Sequence, residues 1–139
     1  MNTLVIDTSV FVKWLNQNRE QNLESADKIL QDVRSGQVEL IAPELIKYEV
    51  GNVLLKGKQL TPDQAYISLG TAYALPITFV SESEESARET YSLASDLGLT
   101  YYDASFLSLA KQYNATLVTD NIKDQGKKSD IRVISLKDY

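Results

Sequence analysis

Near the start of the chain, Leu4-Val5-Ile6-Asp7-Thr8-Ser9 constrains the fold more than any other stretch. Leu4, Val5 and Ile6 form a continuous apolar run with no polar alternation, as expected of a strand buried on both faces. The run stops at the carboxylate of Asp7. Thr8 and Ser9 follow, and apolar residues resume at Val10, which reads as a strand turning directly into a helix. Parallel strands in open α/β sheets collect ligands at their carboxyl ends, so Asp7 stands where chemistry gathers in such a fold.

The remaining chain repeats this alternation. Val10 to Leu15 predicts a short apolar helix, and Asn16 to Asn22 a polar loop. Leu23, Ala26, Ile29, Leu30 and Val33 recur at helical spacing, and Ser35-Gly36 stops that helix. Val38–Ala42 predicts a second strand. Pro43 suits the first turn of the following helix, which carries Leu45, Ile46, Glu49, Val50, Val53 and Leu54 and closes at Lys56-Gly57-Lys58. Thr61 and Pro62 suit the cap and first position of another helix, running to about Tyr73. Pro76–Val80 predicts a third strand. Ser81 to Leu97 predicts a helix with Ala87, Tyr91 and Ala94 inward and Gly98 as its stop. Leu99 to Tyr102 links to a helix from Asp103 that carries Phe106, Leu107, Ala110 and Tyr113. Ala115–Thr119 and Ile131–Ser135 predict two last strands, joined by a polar loop from Asp120 to Ser129. The expected class is α/β with a mostly parallel sheet flanked by helices, in one domain spanning residues 1–139.

Composition narrows the chemistry. The chain has 139 residues and neither cysteine nor histidine. Disulfides, thiolate metal sites, histidine-bound zinc and histidine general bases are thereby excluded. Any metal must be held by oxygen, which favours Mg²⁺ or Mn²⁺. The formal net charge of -5 argues against broad electrostatic adhesion to nucleic acid or anionic membranes. No apolar run approaches the roughly 20 residues of a membrane span, and no signal-peptide pattern opens the chain. A cytoplasmic location is expected.

Four positions compete for a chemical role, and each has an ordinary alternative. Asp7 suits a helix N-cap. Glu49 falls inside the apolar stripe of its helix, four residues from both Leu45 and Val53, where an ionised carboxylate is costly unless compensated. An internal ion pair would compensate it, and Asn52 is placed either to orient it or to face solvent. Asp103 heads the apolar face of its helix and also suits a first turn. Asp120-Asn121 follows a strand, as turn residues do. Taken together, these positions point to one rim of a parallel sheet. Carboxylates converging there without a basic neighbour would repel one another, and a divalent cation resolves that repulsion.

Val5-Ile6-Asp7-Thr8-Ser9, Pro43-Glu44-Leu45 through Glu49-Val50 and Asn52-Val53-Leu54, Tyr102-Asp103-Ala104 through Leu109-Ala110, and Leu117-Val118-Thr119-Asp120-Asn121 together resemble a PIN-domain ribonuclease. The resemblance is closest to VapC-type toxins of toxin–antitoxin pairs and covers essentially the whole chain. It implies a three-layer α/β sandwich and a metal-dependent endoribonuclease that hydrolyses RNA phosphodiester bonds. It further implies Mg²⁺ or Mn²⁺ held by acids matching Asp7, Glu49 and Asp103, with a hydroxyl at Thr8 or Ser9 assisting the first acid. The family's fourth acid, two residues after the matching Thr119, is here Asn121, and Asp120 occupies the position between. Both are carried as candidates. Lys13, Lys123, Lys127 and Lys128 are candidate phosphate contacts, with solvated surface charge as the plainer reading. The resemblance also implies a small antitoxin partner and a homodimer. Phe11, Trp14, Tyr48 and Tyr66 could supply those surfaces or serve the core.

Other classes fit less well. A haloacid-dehalogenase-type phosphatase needs a second Asp where Ser9 stands. A receiver domain needs an acidic pair after the first strand. A degenerate PIN fold that only docks a protein partner stays open because Asn121 adds no charge.

Overall fold

The computed structural model describes residues 2–122 and 130–139. Lys123, Lys127 and Lys128 therefore lie outside the described residues. Among the described residues, five strands form one sheet: β1 (Asn2–Ile6), β2 (Val38–Pro43), β3 (Ile77–Val80), β4 (Thr116–Thr119) and β5 (Val133–Ser135), in the order β3-β2-β1-β4-β5. Every strand pairing in it is parallel. The apolar run of β1 is explained by its central place, where Leu4, Val5 and Ile6 are buried against both sheet faces. From β1 the chain adds β2 and β3 on one side and later β4 and β5 on the other. The β1/β4 boundary is thus the point where the strand order reverses.

Among the described residues, six α-helices connect and cover the sheet: α1 (Thr8–Phe11), α2 (Leu23–Arg34), α3 (Leu45–Asn52), α4 (Pro62–Ala74), α5 (Glu84–Leu97) and α6 (Tyr101–Gln112). A 3-10 turn, Val12–Trp14, extends α1, and a second, Leu136–Asp138, packs against α2. Helix α6 crosses β1, β2 and β4, and α5 packs on α6. Local signals account for the helix starts. Thr61 and Gln64 form a reciprocal capping box on α4, and Thr100 Oγ1 accepts from the Asp103 N–H at 3.0 Å on α6. Gly98, at φ 66°, closes α5 in the left-handed conformation that glycine adopts most easily.

Several expectations need correction. Pro43 ends β2, opposite Val80, rather than opening a helix. Its fixed φ also suits an extended strand end, and Glu44 takes the cap position instead. The Glu49 helix loosens into a π-helical turn over Val53–Gly57, which the hydrophobic pattern does not reveal. Asp103 lies in the first turn of α6, three residues after its cap Thr100, rather than starting the helix. In α5 the buried residue is Thr90, whereas Tyr91 is 70% exposed. Phe11 is buried and Trp14 half-buried, so neither is a free surface. Among the described residues, no helix is long and apolar enough to cross a membrane.

Candidate active site

The sheet register builds the site. Ile6 lies opposite Val118, so the next residue in each strand direction brings Asp7 beside Thr119. Thr119 Oγ1 donates to Asp7 Oδ2 at 2.5 Å, and Ser9 Oγ donates to Asp7 Oδ1 at 2.5 Å. The Val10 N–H reaches the same Oδ1 at 3.3 Å, so Asp7 is also the N-cap of α1. The two readings of Asp7 are compatible. Each hydroxyl also accepts a backbone N–H: Asp120 donates to Ser9 Oγ at 2.9 Å and Asn121 to Thr119 Oγ1 at 3.0 Å. Main-chain groups after β4 thereby direct both hydroxyl protons at the Asp7 carboxylate. Burial pushes the Asp7 pKa up, and the hydrogen bonds from Ser9, Thr119 and Val10 oppose that rise.

Glu49 approaches from α3. Ile46, Val50 and Leu54 form the fully buried row, and Leu45, Glu49 and Val53 form the neighbouring row. The acid therefore flanks the core instead of entering it. Thr8 Oγ1 donates to Glu49 Oε1 at 2.6 Å, so the adjacent hydroxyls of Thr8 and Ser9 serve different acids. Burial raises the Glu49 pKa, the Thr8 hydrogen bond lowers it, and the charges of Asp103 and Asp7 raise it further. The Glu49 carboxylate therefore lies within reach of the charges of both Asp103 and Asp7.

Asp7, Thr8, Ser9, Glu49, Asp103 and Asn121 line one cavity of about 560 Å³, bordered by Tyr48, Asn52 and Tyr102. No lysine or arginine lines it among the described residues. The carboxylates ring this space rather than closing on one point. Among the described residues, no three acidic side chains are gathered tightly enough to form a metal-ligand group as they stand. The donor set nevertheless suits a hard cation: carboxylates and carboxamides, all offering oxygen. Asn52 is exposed at this rim.

Asp120 is held elsewhere. Its Oδ2 lies 2.9 Å from Lys13 Nζ, and its Oδ1 accepts from Asn22 Nδ2 at 2.9 Å. Lys13 Nζ also meets Glu20 Oε1 at 2.8 Å, and Lys58 Nζ meets Glu20 Oε2 at 2.6 Å while donating to the Asn18 carbonyl. Asn22 takes the left-handed conformation at φ 57° and forms no side-chain cap on α2; its amide serves Asp120 instead. The Lys13 side chain is 1% exposed. Neither expectation for it holds, because it is neither solvated nor free to meet a phosphate. Burial alone would lower the Lys13 pKa, but hydrogen bonds and charges from Glu20 and Asp120 outweigh burial and raise it. The flanking apolar residues Val10-Phe11-Val12 and Trp14-Leu15 were the available signal that this lysine is enclosed. Nothing in the sequence indicates its acceptors Glu20 and Asp120, or that Tyr102 borders the acidic cavity.

Comparisons with known proteins place the fold. The fold matches the VapBC2 structure from Rickettsia felis bound to a DNA fragment from their promoter, with a TM-score of 0.73, 17% identity, and coverage of 96% of this chain and 98% of that one. DNA-bound VapBC from Salmonella typhimurium gives a TM-score of 0.72 at 12% identity, covering 98% and 99%. VapC20 from Mycobacterium tuberculosis, described as a sarcin-ricin-loop-cleaving toxin, gives 0.62 at 9% identity, covering 82% and 86%. No curated protein sequence matches the chain. The family profile described as PIN domain matches residues 4–125. With that match spanning nearly the whole sequence, the chain belongs to the PIN domain family.

Proposed function

We propose that this chain is a divalent-metal-dependent endoribonuclease and the toxin of a toxin–antitoxin pair. One observation carries the reading: Asp7, Glu49 and Asp103, far apart in sequence, line the same cavity. Asp7, Glu49, Asp103 and Asn121 would hold Mg²⁺ or Mn²⁺. When bound, such an ion lowers the pKa of water and stabilises charge developing on a phosphate. Ser9 and Thr119 fix the orientation of the Asp7 carboxylate, and Thr8 fixes that of Glu49. Asn121 is preferred to Asp120 as the fourth ligand because Asn121 lines the cavity and both Asp120 oxygens are engaged.

The test is RNA cleavage with Mn²⁺. Asp7→Asn and Glu49→Gln variants that keep the wild-type circular dichroism spectrum are expected to lose cleavage. Full activity in either removes the reading. An antitoxin and a second copy are proposed as partners. Structural neighbours are solved as VapBC complexes, and Tyr66, Ile67 and Tyr73 of α4 present a large exposed apolar surface here. A small open reading frame beside the gene would support the pairing. A docking module without catalysis is the second reading, favoured only by the uncharged Asn121; an unchanged melting temperature on adding Mn²⁺ would support it.

A further inference from the structure

A second cavity, of about 340 Å³, adjoins the acidic one. The two share Leu45, Tyr48 and Tyr102 as a common wall. Tyr48 is 79% exposed and Tyr102 59% exposed, so both rings stand at the lip between the cavities. Beyond the lip, apolar contacts come from Pro43, Val80 and Leu109. The interior also contains Ser108, whose residue is only 2% exposed. Its hydroxyl makes no hydrogen bond among the described residues. Thr90, equally buried in the same wall, satisfies its own hydroxyl on the Ser86 carbonyl at 2.8 Å. A buried hydroxyl without a partner is costly and uncommon. Ser108 therefore leaves a hydroxyl without a protein partner in the wall of this cavity, among the described residues.

We infer that this cavity is a subsite for one nucleobase of single-stranded RNA, the base next to the phosphate held in the acidic cavity. The inference rests on the ribonuclease reading above. A nucleobase matches the site in three respects. It has flat faces that stack on tyrosine rings, an apolar body that suits the Pro43, Val80 and Leu109 contacts, and a polar edge that Ser108 Oγ can meet. Its neutrality also matters. Glu82, whose only described partner is the neutral Tyr101 hydroxyl, lines the same cavity, and a phosphate placed beside it would be repelled. The chain would therefore run with its phosphate over Asp7, Glu49 and Asp103 and one base turned across the tyrosine lip. Specificity beside the cut would arise from this pocket.

The experiment compares an RNA with one mapped cut site, taken from cleavage of a random-sequence pool with Mn²⁺, against the same RNA made abasic at each nucleotide flanking the cut. For the wild type, one flanking abasic position is expected to slow cleavage by about tenfold or more, the usual scale of a stacked base. In Ser108→Val and Tyr102→Ala the ratio of base-bearing to abasic rates is expected to fall several-fold towards one. Equal rates on intact and abasic RNA in the wild type would overturn the proposal. So would undiminished ratios in both variants, and if these variants also lost self-association in sedimentation velocity, the cavity would belong to a second copy of the chain. If the wild type cleaves no RNA, the catalytic reading fails by itself. Anisotropy of a fluorescein-labelled oligoribonucleotide, intact or abasic, still decides the subsite: equal binding of the two overturns it.

Discussion

Asp7 and Asp120 follow neighbouring parallel strands at the same edge of the sheet, yet their surroundings are opposite. Asp120 meets Lys13, and Lys13 also meets Glu20, which in turn holds Lys58. That group contains as many cations as carboxylates. Asp7, Glu49 and Asp103 share a cavity with hydroxyls, two carboxamides and no lining lysine or arginine among the described residues. Burying charge is tolerated in the first group because the protein supplies the counter-charge. In the second group it is tolerated at the expense of raised pKa values at Asp7 and Glu49. The contrast separates acids held in an ion-pair network from acids that line an open cavity.

The largest expected effect separates the two groups in activity. Asp7→Asn should reduce Mn²⁺-dependent RNA cleavage by at least about a thousandfold, roughly 4 kcal/mol of barrier. Asp120→Asn should lose far less, because it keeps the backbone N–H that supports Ser9. Initial rates on one RNA measure both, and equal losses would erase the distinction.

Stability should rank them the other way. Lys13→Met leaves Asp120 without its ammonium partner and Glu20 with Lys58 alone, and should cost about 3 kcal/mol in urea denaturation. Asp7→Asn keeps polar atoms at the cap and relieves a buried charge, so it should cost little without metal. A Lys13→Met variant as stable as the wild type would show that the ion network does not organise the loop.

A smaller effect concerns the hydroxyls. Ser9→Ala and Thr119→Val remove donors to Asp7 and should weaken Mn²⁺ affinity by about tenfold, as loss of supporting hydrogen bonds does elsewhere. Calorimetric titration reads this directly.

The smallest effect is in pH dependence. The folded pKa values of Asp7 and Glu49 lie above their ordinary 3.8 and 4.5. Between the ordinary and raised values the folded state binds more protons than the unfolded state, so these two groups make stability fall as pH rises through that window. Glu49→Gln should flatten that part of the slope in chelator, when urea curves are collected from about pH 4 to about pH 7. Identical slopes in wild type and variant would contradict the raised pKa.

Much of this was legible in the residues themselves. The unbroken apolar run of Leu4, Val5 and Ile6 and its stop at Asp7 define the central strand and the edge where the site forms. Glu49 stood out because a carboxylate conflicts with an apolar row. Asp103 was less distinct, since a first-turn acid is also ordinary, and only the packing of α6 across β1 and β2 brings it to the cavity. The choice between Asp120 and Asn121 was not legible at all. Their alternation along the chain sends neighbouring side chains in different directions, and the partner that draws Asp120 away is Lys13, more than a hundred residues earlier. Long-range ion pairing leaves no periodic trace, and neither does the π-helical turn after Asn52.

Titration of the metal-free protein with Mn²⁺ by isothermal calorimetry tests the central claim most directly. The account predicts saturable binding that is abolished or strongly weakened in both Asp7→Asn and Glu49→Gln, and retained in Asp120→Asn. No binding by the wild type, or equal binding in all four proteins, would contradict it.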